Sequence, residues 1–351
     1  MSGIPAITVV PTELSDPNLQ WLREDGADVG PQRAKDYPDL TGRANRLDDF
    51  HGVVGGLDLL VSTAGNFNRY LNAFMRQVYL PSNALVKSYL WTTSPPISLP
   101  QLNNGGRVSV GNVEFVGQPH IVMGPNGIMN QVISGGYNDG AASSILQNKG
   151  NVLLVAKGNP KNICDVRDLV GNRTIVGSRV EAGSYDNYTS SIWNIIFWEE
   201  RNAGASFDDA CAEADKIFDK IMNPSNPQKI LEGNRIMHRD TPQAIADGVA
   251  DAGFLFYHLA QTAVEANPDL FEIVPLGGTV AAPAPLLGNR VATMRAIKVS
   301  QTTGNFSAQE IANRDSFFGA ITNTAPLQAL LEQYWVCLPG TIAGNNQPSP
   351  A

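Results

Sequence analysis

The sequence predicts an α/β protein with two lobes, and three observations support this. Short apolar segments alternate along the chain with segments whose apolar residues recur every three or four positions, as in strands alternating with amphipathic helices. The 351 residues are more than one hydrophobic core usually holds. The 33 glycines and 23 prolines indicate many turns between many short elements.

The first strands and helices are predicted after a polar segment. Residues 1–56 are rich in Asp, Arg and Pro and predict an irregular N-terminal arm. LDLLVSTAGNF (57–67) predicts a buried strand and a turn, and NRYLNAFMRQVY (68–79) has the spacing of an amphipathic helix. PHIVMGPNGIMNQV (119–132) repeats this order, and NVLLVAKGNP (151–160) predicts a strand that Gly-Asn-Pro ends. The order predicts an α/β sheet.

The second half of the chain continues the alternation. Strands are predicted in RTIVGS (173–178), NRIMH (234–238), AGFLFYH (252–258) and FEIVPLGG (271–278). Helices are predicted from a start between Ser184 and Tyr188, over Ser206–Met222, from Asp240, and with interruptions over residues 313–336. These elements are sufficient for a second sheet with its own helices.

Small or polar residues form the turns that precede four of the predicted helices. The turns are Ser62-Thr63-Ala64-Gly65, Gly124-Pro125-Asn126-Gly127, Glu181-Ala182-Gly183-Ser184 and Asp240-Thr241-Pro242. A helix start exposes backbone N–H groups and the positive end of the helix dipole, so a small anion can bind there without a lysine. The alternative is that these residues only cap their helices. Several such turns at the carboxyl ends of strands favour a ligand site, because open α/β sheets bind ligands there.

Composition argues against several other classes of protein. The net charge is −8 and no run of Lys or Arg occurs, which argues against non-specific binding of nucleic acid. No apolar stretch reaches the roughly 18 residues of a membrane span. The three cysteines, Cys164, Cys211 and Cys337, are odd in number and far apart, which favours reduced thiols. No zinc-type spacing of Cys and His occurs, and neither a metal nor a cofactor is expected.

Sequence signatures of common enzymes are absent. The chain has no Gly-x-Gly-x-x-Gly after a strand, no phosphate-binding Gly-Lys-Ser/Thr loop, no His-Glu-x-x-His and no Gly-x-Ser-x-Gly. No catalytic residue is predicted, although His238 and His258 lie beside the presumed cleft and are of a type that serves as acid or base. The more common interpretation of such histidines is structural.

Several segments resemble the type II periplasmic solute-binding proteins, and within them the molybdate/tungstate-binding group. The segments are SGGYNDGAASS (134–144), VLLVAKGNPKNICDVRDLVG (152–171), TPQAIADGVADAGFLFYHLA (241–260) and FFGAITNTAPLQALLEQYW (317–335). The resemblance covers about residues 57–338 and implies two lobes that close on an oxyanion held by neutral donors. It implies one lobe of residues 57–158 and 265–340, a second lobe of residues 159–264, a hinge near residues 157–160, and a flexible tail over residues 341–351.

The resemblance also implies ligand-binding residues. The expected set, together with the neighbours in the turns, is Ser62, Thr63, Asn126, Glu181, Ala182, Gly183, Ser184, Thr241 and Tyr257. A hydroxyl donor is expected at Ser62 or Thr63, and backbone donors at Ala182 and Thr241. Tyr257, at the end of a strand, is expected to bury its ring and to present its hydroxyl to the ligand. Pro125, Asn126 and Glu181 depart from the usual pattern of the group, so the identity of the anion stays open.

Two functions therefore remain open at the level of sequence. The first is a solute-binding protein for a small anion, with an ABC permease as partner if the protein is exported. The second is a cytoplasmic enzyme or sensor that uses the same fold for an organic acid, with the N-terminal arm mediating homo-oligomer assembly. The N-terminus has no basic start and no long apolar core, so the sequence as it stands predicts a cytoplasmic protein, or a periplasmic one if a leader was removed.

Overall fold

A computed structural model of the protein describes residues 47–51, 57–86, 89–93, 99–106, 108–110, 113–115, 117–177, 182–224, 230–231 and 237–342. The chain divides into two compact units. Among the described residues, the first unit lies within Asn45–Gln147 and Thr293–Pro339, and the second within Asn148–Ala292 and Gly340–Ala351. Each unit combines a mixed sheet with helices, which confirms the predicted α/β class.

The strands of the described residues are, in chain order, β1 (Leu47–His51), β2 (Leu59–Ser62), β3 (Tyr89–Thr93), β4 (Val108–Val110), β5 (Val113–Phe115), β6 (Ile121–Gly124), β7 (Ser143–Gln147), β8 (Asn151–Ala156), β9 (Thr174–Ile175), β10 (Ile230–Leu231), β11 (Ala252–Phe256), β12 (Phe271–Pro275) and β13 (Thr293–Lys298). The α-helices are α1 (Asn68–Phe74), which continues through a π-helical turn (Met75–Tyr79) and a last turn (Leu80–Ser82), α2 (Leu99–Asn103), α3 (Asn126–Ser134), α4 (Ala182–Asn202), α5 (Phe207–Met222), α6 (Met237–Ala246), α7 (Tyr257–Ala266), α8 (Gln301–Gly304), α9 (Ala308–Thr322) and α10 (Gln328–Gln333). Short 3-10 turns lie at Gly65–Phe67, Arg167–Leu169 and Ala325–Leu327.

The sheet of the first unit has the order β1–β3–β2–β6–β13–β7. Strand β2 is parallel to both β3 and β6, whereas β13 is antiparallel to β6 and β7. Strand β1 pairs with β3 at the edge of this sheet, although the sequence predicts an irregular arm over these residues. A separate antiparallel pair joins β4 and β5.

Both faces of the first sheet are covered, which explains why its strands read as continuous apolar runs. Val61 and Met123 pack in one core cluster, which also contains residues of α1, α9 and α10. Leu60 and Val122, on the opposite face, pack in a second cluster with Met129 of α3. Helix α9 begins with a capping box in which Ser307 and Glu310 bond to each other's backbone N–H groups.

The sheet of the second unit has the order β10–β9–β11–β8–β12. Strands β9, β10 and β11 are parallel to one another, and β8 is antiparallel to β11 and β12. Leu153 of β8, Phe254 of β11 and Tyr188 of α4 share one core cluster. Helix α5 starts as predicted, because the Ser206 side chain accepts a hydrogen bond from the Asp209 N–H.

Two predictions in the segment around α6 are wrong. The strand predicted over residues 234–238 does not form at Met237 and His238, which begin α6; residues 234–236 lie outside the described residues. The helix start predicted at Asp240 is therefore three residues late. Pro242 favours an early helical position, but here it lies inside the helix, and the buried Met237 packs in the core as its first residue. Tertiary packing overrides the local signal.

Two further findings concern membrane spans and cysteines. No helix among the described residues is both long enough and apolar enough to span a membrane. The three cysteines are free thiols: Cys164 is exposed, Cys211 is half-buried and Cys337 is buried.

Candidate functional site

Two neighbouring parallel strands of the first unit end at the same edge of their sheet. In the pairing of β2 with β6, Val61 lies opposite Ile121 and Ser62 lies opposite Val122. Ser62 ends β2 and Thr63 follows it, and these side chains are 1% and 0% exposed. The Thr63 hydroxyl lies 3.5 Å from the Ala64 carbonyl, at the long limit for a hydrogen bond. The structure thus brings Ser62 and Thr63 to the edge at which β6 also ends.

The turn after β6 leads directly into α3. Gly124 ends the strand, Pro125 is extended, and Asn126 begins the helix with its side chain exposed. Among the residues that the structure describes, no side chain caps this helix, and no acidic residue lies in its first turn. The first N–H groups of α3 and the positive end of its dipole therefore face solvent, where an anion can accept from them. A Cβ atom at Gly124 would lie 3.2 Å from Ile128, so the close approach of helix and strand favours glycine.

Arg295 lies beside this turn and is a candidate that the sequence analysis missed. In the antiparallel pairing of β13 with β6, Arg295 is directly opposite Gly124. The pairing of β13 with β7 shifts register between Met294 and Arg295, which marks a β-bulge. The Arg295 side chain is half-buried, and its Nε atom is shielded from solvent without a hydrogen-bond acceptor among the described residues. A charged residue between apolar ones, as in TMRAIK, is typical of any half-exposed strand. The sequence alone therefore does not distinguish Arg295 as a candidate ligand-binding residue.

Three parallel strands of the second unit also end at one edge, where the candidate turns follow. Helix α4, which follows β9, begins at Ala182, with Gly183 exposed and Ser184 half-buried in its first turn. Gly177, between β9 and α4, has a φ of +88°, a conformation that favours glycine. Glu181 lies outside the described residues, so its predicted role stays a prediction.

Thr241 is enclosed within the second unit. It lies in the second turn of α6 and is 0% exposed. A Cβ atom added at Gly253 of β11 would lie 2.3 Å from the Thr241 methyl group, so helix and strand are in close contact there. The Thr241 hydroxyl has no hydrogen-bond partner among the described residues. The predicted backbone donor at this position rested on a helix start at Asp240, whereas the second turn of a helix donates its N–H groups within the helix.

The Tyr257 hydroxyl is engaged inside the second unit. Tyr257 begins α7 directly after β11, at the carboxyl edge, as predicted. Its ring is buried, and its hydroxyl donates to the Val280 carbonyl at 2.7 Å and accepts from the Gln261 side chain at 2.8 Å. Burial raises the pKa of this phenol, so the group is neutral in the physiological range. A ligand at this hydroxyl would compete with the Val280 carbonyl for its proton.

The two histidines near this edge differ from free imidazoles in solution. His238, in the first turn of α6, has its pKa lowered to about 3, mainly by burial and also by the nearby Arg239 and His258. It is therefore neutral near pH 7 and does not act there as a proton donor in its charged form. His258 is buried in α7 and stacks on Phe256. The described residues contain no group of three or more His, Cys, Asp or Glu side chains that could hold a metal ion.

One protein family and several solved structures are similar to this chain. The sequence model of the family described as bacterial extracellular solute-binding protein matches residues 118–301. Among curated proteins, the comparison found no match.

The sulfate-binding protein SubI from Mycobacterium tuberculosis H37Rv is similar in structure, with a TM-score of 0.54 and 16% identity over 81% of this chain and 88% of that chain. Peb3 from Campylobacter jejuni has a TM-score of 0.51 and 14% identity over 80% of this chain and 99% of that chain. A structure of L-phospholactate-bound PEB3 gives the same values. At these identities the likeness shows the fold alone, which is that of the type II periplasmic binding proteins, as the sequence resemblance implies.

Proposed function

Because the chain belongs to the bacterial extracellular solute-binding protein family, we propose that it binds a small oxyanion at the carboxyl edge of the sheet in its first unit. Sulfate, phosphate, molybdate and tungstate are the first candidates. The observation that carries the proposal is the pair of parallel strands β2 and β6, which end side by side. Among the described residues, no side chain caps the 3-10 turn Gly65–Phe67 that follows β2 or the helix α3 that follows β6. Such turns supply N–H donors and a favourable dipole to one small anion.

The donors proposed for the anion are hydroxyls and backbone amides. In the first unit they are the hydroxyls of Ser62 and Thr63 and the amides at the start of α3 around Asn126. Each charge-assisted hydrogen bond contributes roughly 1.5–3 kcal/mol, so four or five are sufficient for a small anion despite its desolvation.

The family and one structural relative support an anion as the solute. SubI is named as a sulfate-binding protein, and its fold is shared by this chain. The resemblance of the sequence to the molybdate/tungstate-binding group points to the same class of tetrahedral ligand. The departures at Pro125, Asn126 and Glu181 leave the choice among these anions to experiment.

The same family membership supports a location and a partner. The family is described as extracellular, and its members deliver small solutes to ABC permeases. We therefore extend the proposal to a protein that acts outside the cytoplasmic membrane and passes its anion to such a permease. Fractionation of the native source cells tests this part separately from ligand binding, and recovery in the cytoplasm alone would contradict it.

A thermal-shift screen of the full chain tests anion binding directly. Sulfate, phosphate, molybdate, tungstate and small carboxylates are compared with chloride at matched ionic strength. A ligand that binds only the folded state stabilises it by about 2.7 kcal/mol at a concentration of 100 times Kd, which raises the unfolding midpoint. If no anion raises the midpoint above the chloride control, the proposal is wrong.

A pair of variants in α3 tests whether the anion that raises the unfolding midpoint binds at the proposed edge of the sheet. Asn126→Asp places a negative charge in the first turn of α3, and we expect it to abolish the shift by repelling the anion. Gln131→Glu adds the same charge at an exposed position more than one turn further along the helix, and serves as the matched control. Equal shifts in both variants would place the anion elsewhere.

A further inference from the structure

We propose that Arg295 binds the anionic group of the solute through the paired N–H donors of its guanidinium. The inference rests on the anion binding proposed above and adds a charged binding residue to that site. It begins from one side chain of the first unit whose charge and buried donor have no partner among the described residues.

Arg295 differs from the neighbouring cations of its unit in having no anionic partner among the described residues. Lys298, three positions later on β13, lies 3.2 Å from the Asp315 carboxylate. The buried Arg314 contacts the carboxylates of Asp139 and Asp315 at 2.7 and 2.8 Å and donates to the Val299 carbonyl. The Nε atom of Arg295, by contrast, is shielded from solvent and has no acceptor among the described residues. A half-buried guanidinium without an anionic partner is unfavourable, and an anionic ligand at its accessible part would reduce that cost.

The position of Arg295 in the strand places it on the face that carries α3. Side chains alternate between the two faces along β13, and Met294 and Ala296 pack in the cluster opposite α3. Ile297, two residues from Arg295, packs with Met129 of α3. Arg295 is therefore on the α3 face, opposite Gly124, which has no side chain to separate it from the helix start.

Two positive features thus lie at one corner of the sheet. The guanidinium of Arg295 and the positive end of the α3 dipole repel each other electrostatically unless an anion lies between them. No acidic residue lies in the first turn of α3 to supply that negative charge. The corner is therefore arranged for an anion supplied by a ligand.

The geometry of the guanidinium indicates the type of anion. The Nε–H and one Nη–H point in parallel and match two oxygens of a carboxylate or phosphate, which a lysine ammonium does not. Sulfate and the other tetrahedral oxyanions present two oxygens in the same way, so Arg295 is expected to bind whichever anionic group the solute carries.

Calorimetric titration of the full chain with L-phospholactate, lactate, inorganic phosphate and sulfate tests the inference. L-phospholactate carries both a phosphate and a carboxylate, and the probe that binds most tightly is used for the comparison of variants. In Arg295→Gln the affinity for that probe is expected to fall by about 10-fold to 100-fold, the range for losing charged hydrogen bonds. Arg295→Lys keeps the charge without the parallel donors and is expected to recover less than half of that loss on a logarithmic scale.

Arg76→Gln is the matched control, since Arg76 is a half-buried arginine of the same unit in the π-helical turn after α1. The affinity of the Arg76→Gln variant for the anion probe is expected to equal that of the parent. Unfolding midpoints without ligand check that each variant folds, and Arg295→Lys supplies the test if Arg295→Gln does not fold. Unchanged affinity in the Arg295 variants would overturn the inference while leaving anion binding intact. Failure of all anions to bind would contradict the proposed function itself.

Discussion

The two units carry their candidate residues on the same kind of sheet edge, but they differ in what those residues already bind. In the first unit the start of α3 has no cap and the Arg295 Nε has no acceptor among the described residues. In the second unit the Tyr257 hydroxyl is bonded to Val280 and Gln261, and Thr241 is enclosed against β11. The difference indicates that the first unit is the better candidate for side-chain recognition of an anion.

The largest expected effect on stability comes from Gly253, where α6 lies against β11. In Gly253→Ala the new Cβ would lie 2.3 Å from the Thr241 methyl group and 2.6 Å from that of Ile175, so helix and strand must separate. Overpacking of this kind typically costs about 1–3 kcal/mol in free energy of unfolding. Denaturant unfolding measures the loss.

Gly319→Ala in α9 is the control, because a Cβ there meets nothing within 4 Å. It is expected to leave the protein as stable as the parent or to stabilise it by about 0.5–1 kcal/mol, since alanine is the better helix former. Equal losses in the two variants would show that the close approach at Gly253 is not what the substitution disturbs. Anion affinity of the folded Gly253→Ala protein is expected to change little if recognition lies in the first unit.

Removal of the Tyr257 hydroxyl tests whether this group stabilises the second unit or binds the ligand. The sequence-based hypothesis expects Tyr257→Phe to weaken the ligand, whereas the engaged hydroxyl predicts a loss of stability. Two hydrogen bonds are lost, and the Val280 carbonyl and the Gln261 amide lose a partner, so the free energy of unfolding is expected to fall by about 1–2 kcal/mol. Denaturation measures the stability of the variant, and calorimetry measures its anion affinity. Unchanged stability together with weakened anion binding would show that the Tyr257 hydroxyl binds the ligand.

The pH dependence of stability tests the buried histidines. The fold favours neutral His238, whose pKa is lowered to about 3 from the ordinary value near 6.5. The contribution of neutral His238 to the free energy of unfolding is therefore fully present above about pH 6.5 and is lost as the pH falls toward 3. Between pH 6.5 and 5.5 we expect the free energy of unfolding to fall by up to about 1 kcal/mol.

His238→Gln is expected to flatten this dependence in denaturation curves recorded across the same interval. Part of the slope is expected to persist, because burial also lowers the pKa of His120 in the first unit. Most carboxylates stay ionised in this interval, so the comparison isolates the histidines. An unchanged slope in the variant would show that the His238 ring is solvated in the native state.

The smallest expected effect is at Thr241. Thr241→Val replaces a buried hydroxyl that has no partner among the described residues with a methyl group of similar size. Removal of an unsatisfied buried polar group is expected to raise the free energy of unfolding by up to about 1 kcal/mol. Differential scanning calorimetry measures this shift. A lower midpoint together with weaker anion binding would instead assign the hydroxyl to the ligand.

The sequence was sufficient for the fold because its strands are marked by strong local signals. The runs around Leu59, Val122, Leu153 and Phe254 are almost entirely apolar and buried, as expected for strands covered on both faces. Element order alone then predicts the α/β class. The start of α6 was not predictable in this way, because the capping signal at Asp240 and Pro242 lies inside a helix that packing begins at Met237.

The candidate site was predictable only where it depends on local sequence. The turns at Ser62 and Asn126 were found because a strand end followed by a helix start is a local pattern. Arg295 was not found, because its role depends on strand pairing with β6, far away in the sequence, and on the absence of an acceptor around it. The engagement of Tyr257 by Val280 likewise depends on a tertiary contact that no periodicity reports.

The most direct test of anion binding at the first unit is a crystal structure with tungstate, which mimics a tetrahedral phosphate group and is located by its anomalous scattering. The account predicts the strongest anomalous peak at the carboxyl ends of β2 and β6, within hydrogen-bonding distance of the α3 amides and of Arg295. A tungstate ion bound strongly elsewhere, with no peak at these strand ends, would contradict it.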